Sequence, residues 1–211
     1  ISNIDGATGA VTENPETVFT EVEQEVLVCP SWAGGRDWEA GTYSPLTNTM
    51  YFPLRNTCSR VRATSNFQTQ QARALAEGGP GGLDIYSLAA RHQLVPGTDN
   101  LGTVRAVSVE TGETRWIYEQ RAGTMSLVAT GGGLVFGGDS NGRFRAFDDE
   151  SGEVLWEINL GAPVSGYPIS YAVNGRQYVA VNTGSGSNSL TPELRPSSGS
   201  NLFVFALPSR D

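Results

Sequence analysis

The stretches GTVRAVSVETGETRWIY (102–118) and GRFRAFDDESGEVLWEI (142–158) lie 40 residues apart and are two copies of one unit. Seven of their 17 paired positions are identical: Gly102 with Gly142, Arg105 with Arg145, Ala106 with Ala146, Glu110 with Glu150, Gly112 with Gly152, Glu113 with Glu153, and Trp116 with Trp156. Thr111 with Ser151 is a conservative eighth pair. Each copy reads as a strand, a tight turn and a strand, with Thr-Gly or Ser-Gly where the backbone needs positive φ. A degraded third copy opens the chain: Asp5, Thr8 and Gly9 keep the spacing of Asp148, Ser151 and Gly152, but Glu13 stands where the tryptophan would be.

Working outward, TMSLVAT (124–130) and GLVFGG (133–138) add two short apolar runs, so one period holds about four strands, the size of a propeller blade. The pattern continues in YPISYAV (167–173), QYVAVNTG (177–184) and NLFVFAL (201–207). Upstream, TYSPL (42–46) and MYFPL (50–54) form a hairpin about Thr47 and Asn48. The reading is all-β, a series of β-propeller blades in a single domain over 1–211. A long loop of about 59–100 interrupts it and contains GGPGG at 78–82. Helical periodicity is convincing only in QTQQARALAE (68–77), inside that loop. Such an excursion from a rigid scaffold is either a recognition element or a plain insertion, and its place directly after Cys58 favours recognition.

The 211 residues suffice for one large domain with a sizeable core. Charged residues make up 17% against roughly a quarter in ordinary globular chains, which suits many strands joined by turns. All 14 basic residues are arginine and His92 is the only histidine. A Schiff-base lysine, a phosphate-loop lysine and a zinc site on two histidines are thereby excluded, and a Ser/His/Asp triad could be made only through His92. The net charge of −8 repels a polyanion, so nucleic acid is not an expected partner. No apolar run reaches the length of a membrane span, and ISNIDGATG has the form of no signal peptide. Because the chain starts at Ile1 and enters a strand-and-turn pattern at once, it is expected to be a processed product or a piece of something longer.

The doubled pattern Ala-x-Asp/Ser-x-x-Thr/Ser-Gly-x-x-x-Trp, at Ala106–Trp116 and Ala146–Trp156, resembles the tryptophan-docking repeat of the quinoprotein dehydrogenases, which use pyrroloquinoline quinone (PQQ). Its physical reason is that an indole at a fixed place offers the next blade a flat face and an N–H donor. Trp116 and Trp156 are therefore packing residues. A second likeness is CPSWAGGRDWEAGTYSPLTNTMYFPLRNTC, from Cys29 to Cys58, which is similar to a segment of the PQQ-dependent alcohol and methanol dehydrogenases. The stretches after Gly132 and Val164 look like the last two blades of those enzymes.

The resemblance implies an eight-bladed ring with PQQ on its axis, where calcium or a lanthanide ion polarises the quinone and an aspartate takes the alcohol proton. This chain would supply the C-terminal three to four blades. The metal ligands and the catalytic aspartate would lie outside it, in the N-terminal remainder of the propeller. Asp84, Asp99, Asp139 and Asp148 all sit in turn contexts and are read as solvated or capping carboxylates.

Asp37 stands where the family has an Asn or Asp reaching the cofactor, and Trp38 follows it as in many members; the alternatives are a turn aspartate after Gly34 and Gly35 and a packing tryptophan. Ser187 and Asn188, in the glycine-rich 184–188 loop, match a loop whose amides approach a PQQ carboxylate. The methanol enzymes have a tryptophan near Asn188 that this chain lacks. Thr124 occupies a further pocket-edge position. Cys29 and Cys58, 29 apart, have the separation of a disulfide in the methanol-oxidising relatives. Such a bridge stabilises by about 3.5 kcal/mol in the chain-entropy estimate and implies an oxidising, periplasmic setting; two free thiols are the alternative. The implied activity is oxidation of an alcohol or polyol, with electrons passing through PQQ to an acceptor such as cytochrome c, for which a basic partner would suit the acidic surface. A non-catalytic PQQ-repeat scaffold for protein binding is the competing reading, against which the RDW segment and the cysteine pair stand.

Overall fold

The computed structural model describes residues 1–21, 23–63, 88–184, 190–194 and 199–207. Among these, regular structure is β apart from two 3-10 turns at Pro15–Thr17 and Pro192–Leu194. The chain divides into two compact units, 1–34 with 57–95, and 35–56 with 96–211.

In the first unit, β1 (Asn3–Ile4) and β2 (Val11–Thr12) form a hairpin, and β3 (Glu25–Val28) pairs with one strand of a second hairpin, β6 (Thr57–Ala63) with β7 (Leu88–Leu94). The ends of the segment expected to be one long loop are thus strands. Ser59 and Val61 turn inward while Arg60 and Arg62 face solvent, an alternation too short and too arginine-rich to stand out in the sequence. The expected helical stretch 68–77 lies outside the described residues. Cys29, just past β3, and Cys58 of β6 are joined by the expected disulfide.

The second unit holds three antiparallel sheets. The first is ordered β4 (Thr42–Ser44), β5 (Thr49–Arg55), β8 (Gly102–Ser108), β9 (Thr114–Gln120). The second is β10 (Thr124–Thr130), β11 (Leu134–Asp139), β12 (Arg143–Asp148), β13 (Val154–Asn159). The third is β14 (Ile169–Val173), β15 (Arg176–Asn182), β16 (Leu202–Phe205). The expected hairpin about Thr47 and Asn48 is present, with Asn48 at φ 50; the two full repeats are β8–β9 and β12–β13.

The sheets face one another through alternate residues of each strand. Tyr51, Val104 and Ala106 of the first sheet meet Leu127, Val135 and Phe147 of the second. On the opposite face of the second sheet, Phe144 packs with Val164, and with Val179 and Val181 of the third. The repeat sequence sets the joint between the first two sheets. The Trp116 ring lies over the turn at Ser151–Gly152, so close that a Cβ on Gly152 would come within 2.6 Å of it. Its Nε1–H donates to the Asp149 carbonyl at 3.2 Å, and that oxygen also accepts the Tyr51 hydroxyl at 2.8 Å. Ser44 Oγ donates to the Asp149 carboxylate at 2.9 Å. Trp156, in the second copy, meets Phe144 and Phe205 edge-on.

The turns themselves are nearly superposable. The Asp148 carboxylate accepts the Glu150 and Ser151 N–H groups and the Ser151 hydroxyl; in the degraded copy Asp5 accepts the Ala7 and Thr8 N–H groups and the Thr8 hydroxyl. Gly9, Gly112 and Gly152 have φ of 71, 73 and 75. The opening DGATG is the same turn, as its spacing predicts, although its tryptophan is gone. Asp139, also read as a solvated or capping carboxylate, does cap the Asn141 and Arg143 N–H groups, but it is buried and ion-paired to Arg145 at 2.7 Å.

Candidate functional site

Residues 36–40 lead into β4 of the first sheet and run along the first strand of the next one. The Ala40 N–H donates to Ser126 Oγ at 3.0 Å, and the Ala40 carbonyl accepts the Leu127 N–H at 2.9 Å, both on β10. The Ala129 N–H then donates to Thr42 Oγ1 at 2.9 Å. Gly41 is required here, because a Cβ would stand 2.7 Å from the Tyr51 carbonyl oxygen. The strip is pinned at its other end by Tyr167, just before β14, whose hydroxyl donates to the Trp38 carbonyl at 3.1 Å and whose ring meets the Trp38 indole edge-on.

Asp37 and Trp38 are exposed on this strip, Trp38 by 45%. The residue between them and the sheet is the opposite: Glu39 is 2% exposed. Its carboxylate is ion-paired to the Arg55 guanidinium at the end of β5 and accepts the Asp37 N–H at 3.3 Å. Arg36 Nε donates to the Glu39 carbonyl at 2.9 Å, and its guanidinium lies over the Phe52 ring. A strip of five residues is thereby held on both sides of Trp38, with the Arg36 and Arg55 guanidinium groups engaged by Phe52 and Glu39 and with Asp37 and Trp38 exposed.

Asp37 and Trp38 are therefore adjacent on the side of the sheets where β4 and β10 lie. Thr124 is buried, and its hydroxyl lies 3.1 Å from both the Leu54 and the Thr103 carbonyls, tying β10 to β5 and β8. That bond is what the side chain does in the fold. Ser187 and Asn188 fall outside the described residues. The N–H of the preceding Gly184 donates to the Pro163 carbonyl, and the residue is packed tightly against Ser165. Glu39, Arg55 and Tyr167 were not singled out by the sequence. The only signal for Glu39 was its place inside the RDWEA motif, since nothing local marks a carboxylate as buried.

His92, on β7 of the first unit, is exposed and stacks on Trp32, with Nδ1 3.2 Å from the buried Ser59 hydroxyl. Among the described residues no group of three or more His, Cys, Asp or Glu is arranged to hold a metal ion.

Comparison with known proteins gives these strands a common context. Residues 98–179 match the PQQ family described as "Glucose/ethanol/alcohol dehydrogenase, beta-propeller domain". Over its whole length the chain is 29% identical to the quinoprotein alcohol dehydrogenase PedE of Pseudomonas putida, of which it spans 34%. It is 31% identical over 75% of its length to the lanthanide-dependent methanol dehydrogenase of Methylacidiphilum fumariolicum, of which it spans 25%. A solved europium-containing methanol dehydrogenase superposes on 97% of the chain with a TM-score of 0.81 at 24% identity, and the chain covers 38% of it. The chain thus spans between 25% and 38% of the length of these relatives, and its four-stranded sheets are blades of a β-propeller. The chain is similar over its whole length to quinoprotein alcohol dehydrogenases, and its residues 98–179 match their β-propeller domain.

Proposed function

We propose that this chain is the C-terminal three to four blades of an eight-bladed, PQQ-dependent alcohol dehydrogenase and forms one wall of its cofactor pocket. The observation that carries the reading is the Arg36–Ala40 strip, laid against β10 with Trp38 exposed between two anchored ends. Its residues suit a planar group: Trp38 offers a flat apolar surface and Arg36 a guanidinium outside the Glu39–Arg55 ion pair. When bound, PQQ would take up the two electrons removed from the alcohol. The part left to this chain is to hold Asp37 and Trp38 at the cofactor edge and to keep water from the inner strands, with Ser187 and Asn188 contributing from their loop. The calcium or lanthanide ligands and the catalytic aspartate belong to the N-terminal remainder of the propeller.

The third sheet offers a face that would suit that remainder. Ile169, Tyr171 and Val173 on β14 and Leu202 and Val204 on β16 share one face of the third sheet with Ala180, as the pairings Ile169↔Ala180 and Ala180↔Val204 require, and all five are exposed. An apolar sheet face of this kind is what a neighbouring blade covers in a ring. The disulfide supports a periplasmic location, and the net charge of −8 favours a basic cytochrome c as electron acceptor. The substrate is an alcohol or polyol.

Complementation tests the reading. The matching N-terminal portion, supplied with PQQ and calcium, is expected to carry out dye-linked alcohol oxidation only after this chain is added. Oxidation at the same rate without the chain would remove its role.

A further inference from the structure

The pair formed by Glu39 and Arg55 has no part in the joints between sheets, yet it contains the most completely buried carboxylate of the strip. Glu39 is buried but the Arg55 side chain is 36% exposed, and such a part-buried ion pair contributes little net stability, so its value here lies in geometry. The two Glu39 oxygens bind different partners. Oε1 faces the Arg55 guanidinium, and Oε2 accepts the N–H of Asp37. Arg55 is fixed at the end of β5, where its own N–H donates to the Gly35 carbonyl at 2.7 Å. A chain of contacts therefore runs from β5 through Arg55 and Glu39 to the backbone between Arg36 and Trp38.

We propose that Glu39 is a positioning residue that transfers the rigidity of β5 to Asp37 and Trp38 and so sets where they meet the quinone. The quinone half of this statement rests on the function proposed above. The positioning half concerns only the protein.

Glutamine at this position can satisfy one side but not both. With its carbonyl toward Asp37 its amide N–H groups meet the Arg55 donors, and with the amide reversed they meet the Asp37 N–H. Alanine satisfies neither. The test uses the chain labelled with 5-fluorotryptophan, whose four indoles are at 32, 38, 116 and 156, with the Trp38 line assigned through W38F. Glu39→Ala is expected to move and broaden the Trp38 fluorine line while the Trp116 and Trp156 lines stay in place. Glu39→Gln is expected to shift it less. A Trp38 line unmoved in both variants overturns the proposal; if the alanine variant does not fold, an unmoved line in the glutamine variant alone does so.

The second arm titrates PQQ with calcium into the chain complemented by its N-terminal portion and follows cofactor absorbance. Binding at least 10-fold weaker in Glu39→Ala, and largely restored in Glu39→Gln, is expected. Equal binding by wild type and both variants overturns the link to the quinone. A displaced Trp38 line together with no PQQ binding by the wild-type assembly supports the positioning role and overturns the cofactor reading instead.

Discussion

The two full repeats share a turn but not its surroundings. In the second copy Gly152 lies under the Trp116 ring, whereas a Cβ on Gly112, at the same repeat position, would meet nothing within 4 Å. Arg145 is buried between Asp139, Glu157 and Gln120, with its guanidinium over the Tyr118 ring. Arg105, its counterpart, bonds Thr114 Oγ1 at 3.3 Å and has Ile117 where Arg145 has Glu157. Burial opposes the Arg145 charge, but Asp139, by charge and hydrogen bond, together with Tyr118 and Glu157 outweighs it and raises the pKa. A repeat sequence thus fixes backbone conformation locally, while the energy stored at each position depends on whether the preceding sheet covers it.

The largest expected effect breaks the covered copy. Asp139→Ala leaves the buried Arg145 without the more buried of its two carboxylate partners and should cost about 3 kcal/mol, whereas Thr114→Ala, which removes the neutral partner of Arg105, should cost about 1 kcal/mol or less; urea unfolding of both measures the gap. Gly152→Ala combines positive φ with a collision against Trp116. It is expected to lose about 3 kcal/mol against about 1 to 2 kcal/mol for Gly112→Ala, where only the backbone conformation is penalised. Equal losses in thermal unfolding would mean that the indole yields freely.

The smallest effect separates the turns by pH. The Ser151 N–H, then the Ser151 hydroxyl, hold the Asp148 carboxyl below its ordinary 3.8. The Thr8 hydroxyl and N–H do the same for Asp5. A depressed folded pKa contributes stability that is complete above the unfolded value and lost as pH falls through the folded one. Carbon-detected NMR should therefore find both groups titrating below 3.8, with their turns loosening only in acid. The first copy, which has Ser108 in place of the aspartate and bonds the Thr111 N–H through its hydroxyl, should show no such transition.

The sheets of the second unit were legible because their strands alternate and their turns carry glycine at the right offsets. Even the degraded opening copy kept enough, in Asp5, Thr8 and Gly9, to fold as its relatives do. What stayed hidden depends on partners distant in sequence. Strands β6 and β7 bracket a long excursion and place arginine outward, so they read as loop. The buried state of Glu39 is created by Arg55, 16 residues on, and the anchor of Trp38 by Tyr167, 129 residues on. The Thr124 hydroxyl likewise carries no local mark to show that the Leu54 and Thr103 carbonyls will claim it.

The Asp149 carbonyl gathers donors from two strands of the sheet before it, Tyr51 on β5 and Trp116 on β9. Damage in one repeat should accordingly be felt in the next repeat downstream, and suppressors should be sought on the adjoining blade before the altered one. Each sheet is locked to the one before it, as one roof tile is held by its neighbour.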